Sequence, residues 1–149
     1  MKNIIWLLFL VMTIFLGCER QKGFDAAGPI SSHLVGKWKL EKVVSSTQTK
    51  VGEQIGYSET LECGNNQEND YDRIFRDNIL DTTYVWSRIP GTDSDAKKMT
   101  VLVNYRGGIK RFYKIYRELG KATTLEASAY LPELEGSADT LKYYYVQMQ

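Results

Sequence analysis

The chain has little of the chemistry on which enzymes most often depend. It contains one histidine, His33, and two cysteines, Cys18 and Cys63, among 149 residues. Catalytic triads, histidine-based zinc sites and histidine acid–base pairs all need more partners than this composition offers. No glycine-rich phosphate loop, nucleophile elbow or paired CxxC motif occurs. We therefore expect no enzymatic activity, no cofactor and no bound metal, and we expect His33 to lie at the surface or to cap a turn.

The chain also has no clear excess of positive or negative charge. The chain has 19 basic and 18 acidic residues, which gives a net charge of +1. Domains that bind nucleic acids or anionic membrane surfaces usually carry a strongly basic patch. This balance predicts that nucleic acid is not a partner. A charged group inside a barrel would need a partner, so we expect the arginines at positions 73, 88, 111 and 117 more often to face solvent.

Close acidic pairs are the remaining candidates for catalysis. They are Asp70/Asp72, Asp77/Asp81 and Asp93/Asp95. Two carboxylates that face each other across a cleft can hydrolyse a glycosidic bond, and Asp93 and Asp95 could also lend oxygens to calcium. None of these pairs has the spacing of a complete ligand set. We expect solvated charges in loops, and a hydrolase that uses paired carboxylates is the least favoured alternative.

A long hydrophobic run is missing as well, but a short one opens the chain. Lys2 precedes the apolar segment Ile4–Leu16, and Gly17-Cys18 follows it. A membrane-spanning helix needs roughly 20 apolar residues, so this segment fits a secretory signal peptide instead. The Cys18 junction resembles a bacterial lipobox, in which the cysteine is acylated after cleavage. This implies a signal peptide at 1–17, a lipid on Cys18 and a tether at 18–30.

With Cys18 acylated, Cys63 has no partner for a disulfide within the chain, and we expect its thiol to be buried and inert.

Hydrophobic residues in the rest of the chain, residues 31–149, alternate with a period of two, and no long helical stripe occurs. Eight runs show this alternation, and their marker residues are Trp38/Leu40, Leu61/Cys63, Tyr71/Phe75, Tyr84/Trp86, Val101/Val103, Tyr113/Ile115, Leu125/Ala127 and Tyr143/Tyr145. Turn-rich segments separate them, and the longest is the predicted loop Ile89–Lys98. The pattern predicts an all-β fold, an antiparallel eight-stranded barrel, with a β-sandwich as the alternative.

Two segments carry a family resemblance. Gly36-Lys37-Trp38 opens the first predicted strand after a helical turn and resembles the first motif of lipocalins. The closing segment Asp139–Tyr145 is similar to the end of small lipocalin-like lipoproteins common in Bacteroidetes. The resemblance implies a lipocalin-like barrel over 31–149 with a possible cavity, held at the bacterial outer membrane by the lipid on Cys18.

Aromatic residues are the strongest hint of a binding site. Seven of them share the predicted inward phase: Trp38, Tyr57, Tyr84, Trp86, Tyr113, Tyr143 and Tyr145. They could line a cavity for a small hydrophobic or amphiphilic molecule, or they could simply fill the core. The first reading predicts a membrane-anchored binding protein. The alternative is an interaction module with a filled barrel that docks another envelope protein, and the sequence does not define an oligomeric state.

Overall fold

The computed structural model describes residues 31–66, 68–94, 97–134 and 141–148. The signal peptide 1–17, the acylated Cys18, the tether 18–30 and Asp95 lie outside the described residues. What the sequence predicts for them therefore stays a prediction.

Short elements build the described chain. A four-residue helix, α1 (Ser31–Leu34), precedes the strands, and a 3₁₀ turn (Gly52–Ile55) follows the second of them. The strands are β1 (Gly36–Val44), β2 (Thr49–Val51), β3 (Glu59–Asn65), β4 (Asp70–Arg76), β5 (Ile79–Ser94), β6 (Lys98–Tyr105), β7 (Ile109–Tyr116), β8 (Thr124–Ser128), β9 (Leu131–Pro132) and β10 (Lys142–Gln147).

Eight of these strands close into an antiparallel barrel. The order around it is β1, β3, β4, β5, β6, β7, β8 and β10, and β10 pairs with β1 to complete the circle. In the closing pair, Trp38 lies opposite Gln147 and Val44 lies opposite Lys142. Closure removes the two unpaired edges that an open sheet would expose. The predicted eight-stranded barrel is confirmed, and the alternative sandwich is not found.

The two remaining strands lie beside the barrel. β9 pairs with β7, and β2 pairs with the far end of β1. β1 pairs with β3 only from Gly36 to Lys39, and from Lys42 to Val44 its partner on that side is β2. The chain then returns to β3 through the 3₁₀ turn. As a result, β1 and β3 separate at this end of the barrel.

Local sequence explains the tightest hairpin. Asp77 and Asn78 join β4 to β5, and both have positive φ, at 49° and 65°. A two-residue turn of this kind matches the twist of the flanking strands, and Asp and Asn tolerate the left-handed region better than most residues. The prediction of a loop at Ile89–Lys98 is wrong for most of that segment. β5 continues to Ser94 and pairs with β6, and the register irregularity between Arg88 and Gly91 coincides with the proline-glycine pair.

The barrel core follows the predicted alternation. Trp38, Leu61, Val101, Val103 and Leu125 are fully buried, and each comes from a strand that contributes alternate residues to the interior. The Trp38 indole donates a hydrogen bond to the Leu34 carbonyl oxygen at 2.9 Å. This bond ties α1 to the start of β1. The observed burial confirms the inward phase that the sequence predicts for Trp38.

Candidate functional site

A buried carboxylate lies at the centre of the barrel. Asp72 of β4 is fully buried, and its Oδ1 accepts a hydrogen bond from the Trp86 indole at 2.9 Å. Its Oδ2 accepts from the hydroxyls of Tyr105, at 2.5 Å, of Tyr130, at 3.2 Å, and of Tyr113. Four donors from β5, β6, β7 and the segment after β8 therefore converge on one side chain. A buried carboxylate is tolerated when its oxygens are saturated with donors in this way.

This arrangement changes the acidity of the surrounding groups. Burial, followed by the charge of Asp72, raises the pKa of Tyr105 and Tyr113 well above the usual value. Burial and then Asp72 also raise the pKa of the Cys63 thiol, which is free and buried. The thiolate is the reactive form of cysteine, and the raised pKa disfavours it at Cys63. The structure thus confirms the predicted burial of Cys63.

A buried guanidinium lies among aromatic rings in the same interior. Arg111 of β7 is 2 % exposed, its Nε donates to the Ser128 carbonyl oxygen at 2.7 Å, and its Nη2 donates to the Tyr145 hydroxyl at 3.2 Å. The guanidinium carbon lies 4.3 Å from the ring centre of Tyr130 and 5.4 Å from that of Tyr143. Its Nη1 has no hydrogen-bond partner in the described part of the chain. The predicted solvent-facing position is therefore wrong for Arg111.

A second buried carboxylate connects this cation to the barrel opening. Glu59 of β3 is 4 % exposed, and its Oε1 accepts from the Tyr145 hydroxyl at 2.7 Å. Its Oε2 accepts from Arg76 Nε at 3.2 Å, and Arg76 also lies 3.5 Å from Asp81. Both oxygens of Glu59 are therefore occupied by other side chains. The hydroxyl of Tyr145 lies between Arg111 and Glu59 and links the two charges.

A small cavity opens beside Arg111. Its volume is about 90 Å³, and its walls include Arg111, Arg76, Glu59, Tyr84, Tyr130 and Tyr143. A water molecule takes up about 30 Å³ in the liquid, so the space corresponds to a few waters or one small polar group. Sites for larger organic ligands usually measure about 300–1,000 Å³. This cavity is too small to hold an amphiphile of ordinary size.

A larger groove lies where β1 and β3 separate. Its volume is about 670 Å³, and its apolar lining comes from Leu40, Ile55, Tyr57 and Met148. Lys39 and Glu53 contribute charge at the same groove. The 3₁₀ turn forms one wall, because its residues Gly52, Glu53 and Ile55 line the groove. Glu59 lines both this groove and the small cavity.

The seven predicted lining aromatics fall into three environments. Trp38, Trp86, Tyr113 and Tyr145 are buried and either hydrogen-bonded or packed in the core. Tyr84 and Tyr143 are half-buried and line the small cavity. Tyr57 is half-buried and lines the groove. The structure therefore places four of them in the packed interior and divides the others between two openings.

Sequence reasoning missed the charged part of this interior. The expectation that Asp72 is a solvated loop charge is wrong, because Asp72 and Ile74 are the buried residues of β4, and Tyr71, Arg73 and Phe75 take the other face. The presence of Ile74 in the opposite phase to Tyr71 and Phe75 was the sequence signal that this face of β4 is buried.

The phase of Arg111 also indicates its burial. Arg111 shares the phase of Ile109, Tyr113 and Ile115, which marks it as inward-facing. Asp93 is exposed, and His33 is half-buried at the end of α1.

Two kinds of feature are absent from the described ranges. No group of three His, Cys, Asp or Glu side chains in them could hold a metal ion. The described helices include none with the length and apolar character needed to cross a membrane.

Comparison with known proteins shows likeness to solved structures. No protein-family model matches the chain, and no curated protein matches it. Among solved structures, the chain is similar to the crystal structure of Treponema pallidum Tp0751 (pallilysin), with a TM-score of 0.46 and 14 % sequence identity. The match covers 95 % of this chain and 96 % of that chain. The assignment of an all-β barrel rests on the strand pairing of this chain itself.

Proposed function

We propose that this chain is a membrane-anchored binding protein, and that its ligand is a small hydrophobic or amphiphilic molecule. The observation that carries the proposal is the groove of about 670 Å³ between β1 and the 3₁₀ turn. Its volume lies within the usual range for organic ligands, and an apolar wall with a few charged groups at the edge suits an amphiphile. The proposal includes no catalytic step.

The groove replaces the barrel interior as the site in this proposal. Around Asp72 the interior is filled by hydrogen-bonded aromatic side chains, and the adjoining cavity measures only about 90 Å³. A ligand with an apolar body fits neither of these places. Of the seven aromatics that the sequence points to, Tyr57 is the one that contacts the proposed ligand.

Native mass spectrometry of the protein purified from its own source tests this proposal. We expect a retained ligand to appear as added mass on the wild-type protein. The substitution Ile55→Asp places a charge on the apolar wall and should abolish the added mass, because burying an unpaired carboxylate against the ligand is unfavourable. Leu119→Asp is the matched control, since Leu119 is fully exposed and does not line the groove.

Two results would contradict the groove as a ligand site. One is wild-type protein without added mass. The other is added mass that persists in Ile55→Asp while circular dichroism shows that this variant is folded.

The packed interior favours a second candidate function. A barrel filled around Asp72 also suits an interaction module that docks another envelope protein through its outer surface. This alternative predicts that chemical cross-linking in intact cells captures one recurrent protein, and that no small molecule is retained. The two candidates thus give opposite results in the same native mass spectrum.

Anchoring at the outer membrane through a lipid on Cys18 is part of the proposal. The lipobox-like segment before Cys18 supports it. Several acyl chains bind a bilayer firmly, because each buried methylene contributes about 0.8 kcal/mol. We expect Cys18→Ser to be unacylated and recovered in the soluble envelope fraction. Recovery of unprocessed variant in the membrane fraction would instead indicate an uncleaved signal anchor.

A further inference from the structure

Arg111 has less compensation than a buried cation normally receives. Its Nε and Nη2 donate hydrogen bonds to a backbone carbonyl and to the Tyr145 hydroxyl, both of which are neutral acceptors. None of the ion pairs among the described residues includes Arg111, and its Nη1 has no partner there. Arginine stays protonated in proteins, so this side chain keeps its positive charge.

The surrounding rings compensate only part of that charge. Tyr130 lies closest, with its ring centre 4.3 Å from the guanidinium carbon, and the rings of Tyr113, Tyr143 and Tyr145 lie between 5.3 and 5.9 Å away. A ring face attracts a cation, but this attraction is weaker than that of a carboxylate at hydrogen-bond distance. The free donor of Arg111 therefore favours an anion nearby.

The small cavity supplies the space for such an anion. It is lined by Arg111 and by Arg76, and its volume of about 90 Å³ admits a group of a few heavy atoms. Glu59 and Asp81 also line it, and both interact with Arg76, at 3.2 and 3.5 Å. Both carboxylates thus contact Arg76 directly, whereas Glu59 is linked to Arg111 through the Tyr145 hydroxyl. A divalent anion would meet stronger repulsion from these two carboxylates than a monovalent one.

We propose that this cavity binds the carboxylate of a small monocarboxylic acid, and that Arg111 Nη1 is its principal donor. Arg111 is 2 % exposed and lines the cavity together with the rings of Tyr130 and Tyr143. The acid is either a free short-chain acid or the head of a longer chain that extends outward. The first of these is independent of the groove and of the function proposed above.

Side-chain NMR of the full-length protein tests this site directly. The probe is sodium acetate, added to arginine-labelled protein in detergent, and sodium chloride at equal ionic strength is the control. We expect the Nε resonance of Arg111, assigned by its loss in Arg111→Met, to shift and saturate with acetate in the millimolar range. Inorganic phosphate should give a smaller shift. An Arg111 resonance that does not respond to acetate overturns the proposal.

Thermal unfolding provides a second readout with matched variants. Acetate should raise the melting temperature of the wild-type protein and of Arg88→Met, because Arg88 is exposed and bonds Glu133 outside the cavity. The rise should be absent in Arg111→Met. If Arg111→Met does not fold, the Arg111 resonance is assigned by the proximity of its side-chain protons to the Tyr130 ring, and the NMR titration of the wild-type protein then decides alone. A rise that persists in folded Arg111→Met also overturns the proposal.

Octanoate separates the two sources of the carboxylate. If it shifts the Arg111 resonance at lower concentration than acetate does, and Ile55→Asp removes that advantage, the site holds the head group of an amphiphile. If acetate alone shifts the resonance, the site takes a free short-chain acid. Both results support an anion site at Arg111. If acetate alone shifts the resonance, this site does not depend on the groove.

Discussion

Asp72 and Arg111 are opposite charges in the same barrel interior, and they are compensated to different degrees. Asp72 accepts hydrogen bonds from Trp86 and from three tyrosines, so both of its oxygens are occupied. Arg111 has two neutral acceptors and one free nitrogen. A saturated buried charge acts as a structural centre that holds several strands in register. A buried charge that is only partly satisfied and lies next to a cavity can contribute the most binding free energy to a ligand of opposite charge.

The largest effect should come from removing the saturated centre. We expect Asp72→Ala to lower the free energy of unfolding by about 3–5 kcal/mol, because the Trp86 indole and three tyrosine hydroxyls lose their buried acceptor. Urea denaturation followed by tryptophan fluorescence measures this change. Asp93→Ala is the control, and at that exposed position we expect a change of about 0.5 kcal/mol or less. Equal losses in both variants would contradict the structural role of Asp72.

Alkaline pH should weaken the same centre without any mutation. Tyr105 and Tyr113 have pKa values raised above 10.0 in the folded state, so their neutral forms stabilise the fold fully below pH 10. Above that pH the unfolded chain loses these protons first, and stability falls as the pH rises toward the folded-state pKa values. The pair should therefore contribute a progressive loss of stability above about pH 10.

Comparison of unfolding free energies on either side of pH 10 measures this loss. Tyr105→Phe removes one of the two groups and should flatten the pH dependence. An unchanged dependence in that variant would show that other groups cause the loss.

Replacing the partly satisfied charge should have the smallest effect. We expect Arg111→Met to lower the free energy of unfolding by about 1 kcal/mol, because losing two hydrogen bonds is offset by removing a desolvated charge. The same urea titration measures it beside Asp72→Ala. A loss as large as that of Asp72→Ala would mean that Arg111 is fully compensated within the protein, and would remove the contrast between the two charges.

The barrel was within reach of sequence reasoning because its core repeats a simple pattern. Trp38, Val101, Val103, Tyr113 and Tyr145 lie inside as their alternation predicts. Alternation, however, identifies a face only where apolar residues mark it. At β4 the apolar residues are divided between both faces, and Asp72 on the inner face resembles an exposed residue until its four donors are known.

The candidate sites were harder to predict for a different reason. The groove depends on where β1 changes its pairing from β3 to β2, and a register of this kind is set by packing between distant strands. Among the described residues, Arg111 forms no direct ion pair with a carboxylate. Whether it does so depends on distances in the folded protein, which cannot be read from the order of residues. Ile55 and Met148 carried no signal that would assign them to one site.

Pairing of β1 with β10 has a consequence for how the molecule forms. The two strands are joined by hydrogen bonds between residues about a hundred positions apart, and Met148 also bonds the Lys37 carbonyl oxygen. A chain that is synthesised or exported from its amino end therefore presents β1 long before its partner arrives. Until then β1 has a free side that other nascent chains can join, and contacts of such long range form slowly. Assembly of this barrel should therefore depend on protection of its first strand during that interval.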